Sequence, residues 1–125
     1  MIIYRVEDEN TDGPYMGHPA YFNFHRRVTV HCNMDTHPTP SVDHLPNGYC
    51  GFVSLTQFYH WFKGDIKTLA KQGFQLAVLE LDDLSVNIGQ HQVTFPTRDA
   101  AHLVRTYSLR YACDLAREEM ENDRS

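Results

Sequence analysis

Between Ser54 and Leu81 the chain carries a helix with both ends marked and then the most strand-like run in the sequence. Ser54-Leu55-Thr56-Gln57 has capping-box spacing, in which Ser54 and Gln57 satisfy orphan N–H groups reciprocally at a helix start. Leu55, Phe58, Tyr59 and Phe62 recur at i, i+3, i+4 and i+7, an apolar face for a core. Gly64 ends that helix. Asp65 can cap a short second one carrying Ile66, Leu69 and Ala70, and Gly73 stops it as a C′ residue. Phe74 to Leu81 follows as a largely buried strand, built on Phe74, Leu76, Val78 and Leu79. The remaining elements do not alternate in repeated βαβ units, which excludes a doubly wound fold. The expected architecture is α+β, with helices packed on a small mixed β-sheet.

Residues 1 to 7 read as a strand, because Ile3, Tyr4 and Val6 suit a pleated, half-buried surface. Asp12-Gly13-Pro14 breaks it, since Gly allows positive φ and Pro lacks an N–H. Val28, Val30 and Cys32 alternate with Arg27, Thr29 and His31 as a second strand. Residues 33 to 48, with Pro38, Pro40, Pro46, Asn47 and Gly48, form a long loop of the kind that carries function. Tyr49 to Val53 is a short strand. A turn near Asn87-Ile88-Gly89 leads to another from His91 to Phe95. Thr97 or Asp99 is expected to cap a final helix with a stripe of Ala100, Leu103, Val104, Tyr107, Tyr111 and Leu115. Residues 1–117 are expected to form one domain, and the acidic 118–125 a solvated, disordered tail.

Composition removes several classes of function. With 125 residues, 42% hydrophobic and 22% charged, the chain has globular proportions and needs no metal or disulfide merely to fold. Its apolar runs are far shorter than a membrane span, and no cationic segment precedes an apolar one as in a signal peptide. Cys32, Cys50 and Cys113 cannot all pair, and none lies in C-x-x-C, which fits reduced thiols in a cytoplasm. A net charge of -5 argues against nucleic acid, which wants clustered cations, and for a protein partner or a small-ligand pocket. His31, Cys32, His37, His44 and Cys50 gather near the long loop, but neither C-x-x-C nor H-x-x-x-H occurs there, so the reading is against zinc. No local signature supports a Cys–His nucleophile, and buried structural Cys is the better reading.

Four features remain that can carry chemistry. Arg5 sits at the end of the first strand, where a planar guanidinium can grip a pyrophosphate or simply be solvated. Asp12-Gly13-Pro14-Tyr15 forms a loop close by in the chain. Ser54 can hold a ligand or act only as the helix cap. Gln90 and Gln92 share a strand face, and their amides can read ribose hydroxyls or face solvent.

Taken in order, Tyr4-Arg5, Gly13-Pro14-Tyr15, Gly51-Phe52-Val53-Ser54-Leu55 and Gln90-His91-Gln92-Val93 resemble the small phage-type members of the ADP-ribosyltransferase-like family. The resemblance implies that Arg5, Gly13, Tyr15, Ser54 and Gln90 bind NAD or an ADP-ribose-type nucleotide. It implies a catalytic set of Arg5, Ser54 and Gln92, acting on a host protein in the host cytoplasm. An active transferase usually has Glu where Gln92 stands, and a carboxylate favours an oxocarbenium-like species far more than an amide does. The resemblance therefore implies a nucleotide pocket more strongly than turnover. Glu80 and Asp82, on one strand face, are the substitute carboxylates to consider. A different class is a non-enzymatic, anti-CRISPR-like inhibitor that blocks a host complex through its surface, with Tyr21, Phe22, Phe24 and Trp61 as patch residues unless they pack in a core.

Overall fold

In the computed structural model, which describes residues 1–11, 13, 49–88 and 93–124, the strand Ile2–Glu7 (β1) runs antiparallel to Gln75–Glu80 (β3). The far edge of β3 pairs with His102–Tyr107 (β6), giving the order β1-β3-β6. Tyr49–Gly51 (β2), Asn87–Ile88 (β4) and Val93–Phe95 (β5) make a second three-stranded sheet in the order β2-β5-β4. Among the described residues every strand pairing is antiparallel, so the expected mixed sheet is corrected to two small antiparallel ones. The α+β class stands.

One backbone bridge joins the sheets. Tyr4 N–H donates to Phe52 O at 2.8 Å, and Phe52 N–H donates to Tyr4 O at 2.7 Å. The approach is close because Gly51 has no side chain: a Cβ there would lie 2.5 Å from Ile3 Cγ2 and 3.1 Å from Tyr4 O. Gly51→Ala should therefore force β2 away from β1 and cost about 1–3 kcal/mol, the usual range for overpacking. Urea unfolding checks this, and an unchanged midpoint would show that the junction yields freely.

The helices Leu55–Phe62 (α1), Ile66–Lys71 (α2) and Leu109–Arg124 (α3) cover one face of the first sheet. The capping box forms at α1. Gln57 N–H donates to Ser54 Oγ at 3.1 Å, while Gln57 Oε1 accepts from Val53 N–H at 3.0 Å, one residue before the cap. Gly73, at φ +88°, ends α2 in a Schellman motif, with Phe74 N–H on Leu69 O and Gly73 N–H on Ala70 O, both at 3.1 Å. Leu55, Phe58 and Phe62 pack with Val6, Leu69 and Leu76 on this side. On the other face Ile3, Ala77 and Leu79 meet Val93 and Phe95 of the second sheet.

The C-terminal third departs from the expected single helix. Thr97 caps only a 3-10 turn, Arg98–Ala100, with Asp99 N–H on its Oγ1 at 3.2 Å, and His102–Tyr107 is a strand. Leu103, Val104 and Tyr107 fit a helical spacing, but they are also β-formers, and pairing with β3 decides between the two readings. The helix starts after Ser108, whose Oγ accepts from Tyr111 N–H at 3.2 Å. Its buried stripe is Leu109, Ala112, Cys113 and Ala116. Tyr111, assigned to the core face from sequence, is 50% exposed. The boundary at residue 117 falls inside α3, which continues through the acidic segment to Arg124, with Thr56 Oγ1 3.5 Å from Glu119 Oε1.

Candidate functional site

Alternation along β1 turns Tyr4 and Val6 to the helices and Ile3, Arg5 and Glu7 to the space under the second sheet. Two charged side chains are thereby buried, Arg5 with 3% and Glu7 with 7% of its surface exposed. They meet: Arg5 Nε–H donates to Glu7 Oε1 at 3.0 Å. Arg98, from the turn before β6, grips the same carboxylate with two parallel bonds, Nε to Oε1 and Nη2 to Oε2, both 3.0 Å. Its Nη1 donates to Ala101 O at 3.1 Å. Such fork-to-fork pairing is the strong form of a charged hydrogen bond.

The guanidinium of Arg5 also gathers backbone. Nη1 donates to Cys50 O at 2.8 Å and Nη2 to Thr11 O at 3.2 Å, while the Tyr49 ring lies 5.1 Å from its carbon. Thr11 is held at φ +65°, a left-handed conformation that strains a β-branched residue. The turn that carries it is closed by Thr11 N–H on Asp8 O at 3.0 Å and by Asn10 N–H on Asp8 Oδ1 at 2.9 Å. Gly13 completes the wall, since a Cβ there would lie 3.1 Å from Arg5 Nη2. Burial pushes the Arg5 pKa down, and the charges of Glu7 and Cys50 partly restore it. An arginine nonetheless stays protonated. Burial likewise raises the Cys50 thiol, against the pull of Arg5.

Among the described residues Arg5 thus engages three of its five donors, on Glu7, Cys50 and Thr11. A second polar group nearby in the register, Thr94 Oγ1 on the β5 residue opposite Cys50, is fully buried and makes no hydrogen bond among the described residues. An unpaired buried hydroxyl is uncommon and costly.

The sequence-derived candidates fall into three groups. Arg5 and Gly13 are brought together, the Arg5 guanidinium standing 3.1 Å from where a Gly13 Cβ would be. Ser54 lies two residues past the Phe52 bridge and caps α1, so its acceptor is engaged by Gln57. Tyr15, Gln90 and Gln92 lie outside the described residues, as do His31, Cys32, His37, His44, Tyr21, Phe22 and Phe24. Of the substitute carboxylates, Glu80 lies three residues along β3 from Ala77, the partner of Arg5, or about 10 Å at strand rise. Asp82 accepts from Leu84 N–H at 3.1 Å as a turn cap. Trp61 packs against Phe52 in the helix-side core. Among the described residues no cluster of His, Cys, Asp or Glu is arranged for a metal, and no helix is long and apolar enough to cross a membrane.

Residues 1–110 match the model of the family described as Bacteriophage T4 Y00F protein. The chain belongs to this family. The match runs from β1 through β6 to the first turn of α3, so it takes in Arg5, Glu7, Ser54 and Arg98. Its description names a phage protein and no activity. No curated protein and no solved structure matches the chain.

Glu7 and Arg98, the two ion-pair partners, were not singled out from the sequence. Arg5 and Glu7 stand two apart on a strand, a spacing that places them on one face and so carried the signal. Arg98 approaches from 91 residues away, and no local pattern announces it.

Proposed function

We propose that this phage protein is an ADP-ribosyltransferase-like domain whose site, at the junction of the two sheets, takes NAD or an ADP-ribose-type nucleotide. The observation that carries the reading is the strand register. Tyr4 bridges Phe52, and Gly51 pairs with Val93, so the Tyr4-Arg5 strand, the approach to Ser54 and the residue following Gln92 converge from distant parts of the chain. These are three of the segments on which the resemblance rests. Among the described residues, two N–H groups of Arg5 and the Thr94 hydroxyl make no hydrogen bond, which gives the junction polar capacity beyond its internal bonds. In this reading Arg5 first positions Thr11, Gly13 and Cys50 and only then offers its remaining N–H groups to a ligand.

Calorimetric titration with NAD and with ADP-ribose tests it. Saturable heat from at least one is expected. Arg5→Lys, verified as folded, should weaken binding, because an ammonium cannot reproduce the fork that spans Glu7, Cys50 and Thr11. No heat from either nucleotide overturns the reading. It would favour a non-enzymatic protein that blocks a host complex, for which the exposed apolar residues Leu103, Val104 and Tyr111 speak.

A further inference from the structure

The strand β6 is unusual in that His102 through Thr106 are all exposed, although successive side chains point to opposite faces. The side chains on both faces of this stretch are exposed, and among the described residues the strand that pairs with it is β3. Leu103 and Val104 are 46% and 42% exposed. The register passes from Val78 opposite Arg105 to Leu79 opposite Leu103, so Val104 is an extra residue and β6 carries a bulge. The charge is one-sided as well. Between Asp99 and Asp114 the chain holds His102, Arg105 and Arg110 and no carboxylate, in a protein of net charge -5. Among the described residues no ion pair engages Arg105 or Arg110.

We propose that β6 is a docking edge for an extended, acidic segment of another protein, which adds as a strand outside β6 and sets its carboxylates against Arg105 and Arg110. Main-chain hydrogen bonds to an exposed strand edge supply affinity in such a mode, and side-chain chemistry supplies the choice of partner. A second copy of this chain is the wrong occupant. Twofold antiparallel pairing would bring two Arg105 side chains to one strip with no carboxylate on either β6, and like charges on facing strands repel. An acidic partner removes that repulsion. The inference concerns a surface apart from Arg5 and holds with or without nucleotide binding. It gives the partner-binding reading a location and a chemistry.

The probe is a short blocked peptide alternating Glu with Val and Thr, titrated into the isotopically labelled full chain while backbone amides are followed by NMR. Amide shifts concentrated at residues 102–107 are expected, and Arg105→Glu should weaken binding about tenfold or more. The same peptide with Lys for Glu should leave these amides unmoved. Arg105 is exposed, so thermal unfolding of the variant should match wild type; Arg110→Glu replaces it if it does not. Three results would overturn the proposal: no shift at 102–107 with the acidic peptide, equal binding of the Lys peptide, or a dimer that Val104→Asp dissociates. The last would mean that a second copy covers this edge. None of them bears on the titrations with NAD.

Discussion

Replacing Glu7 with Gln is expected to destabilise the fold by about 3–5 kcal/mol, the range for stripping one partner from a buried charge pair. Among the described residues Glu7 is the one carboxylate that offsets these two guanidinium groups, and it is bonded to both. The amide keeps the shape but supplies no charge, and its nitrogen would face a donor. Arg5, with 3% of its surface exposed, would then sit beside the part-buried Arg98 without the anion that now bonds both. Arg98→Met provides the comparison. It removes the more exposed cation and leaves Arg5 and Glu7 as a neutral pair, so it should cost clearly less than Glu7→Gln despite losing three hydrogen bonds. Urea unfolding of both variants decides the matter. Equal losses would mean that hydrogen bonding rather than charge balance holds the junction. A negligible loss for Glu7→Gln would mean that the triad is more hydrated than its burial implies. The same logic sets aside Arg5→Ala as a probe of ligand binding, because it would remove the donor to Cys50 O and Thr11 O and unbalance Glu7 at once.

What could be read in the sequence was local. The Ser54/Gln57 box and the Gly73 stop are made by residues within five positions of one another, and the structure forms both. The buried strand announced by Leu76, Val78 and Leu79 likewise lies at the centre of its sheet. Where a segment's state depends on a distant strand, the same reasoning failed. Leu103, Val104 and Tyr107 satisfy a helical stripe and a strand equally well, and β3 decides. Ser108 was the missed signal, a cap residue just ahead of the true stripe of Leu109, Ala112, Cys113 and Ala116. The acidic segment after residue 117 reads from sequence as a solvated tail, but a helix needs only one buried stripe, and α3 continues to Arg124 with its polar residues on the outside. Arg5 shows the same division. Its position on a strand was legible, but its burial follows from Glu7, Cys50, Thr11 and Arg98, which meet only in the folded chain.

If the junction binds NAD, replacing Gln92 with Glu should raise its hydrolysis to ADP-ribose and nicotinamide by about 10²-fold, the low end for one well-placed electrostatic group. The argument concerns the positive charge that develops on the ribose as nicotinamide leaves and water arrives. A neutral amide can hydrogen-bond a ribose hydroxyl but offsets little of that charge. The gain should be pH-dependent, because only the ionised carboxylate stabilises a cation. It should fade as pH falls through about 4.3, the ordinary range for a glutamate side chain, while the slow wild-type rate should lack that step. Gln92→Ala should bind nucleotide less well and hydrolyse no faster than wild type. Nicotinamide release measured at saturating NAD separates these effects from binding. Rapid hydrolysis by wild type that survives Gln92→Ala would place the anionic group elsewhere. Glu80 would be a poor replacement, since it is exposed and lies opposite Ile2 and His102 rather than beside Arg5. A Gln92→Glu variant that binds NAD as tightly as wild type but shows no gain would mean that this side chain does not reach the ribose carbon. The nucleotide-binding reading would then stand without the catalytic one.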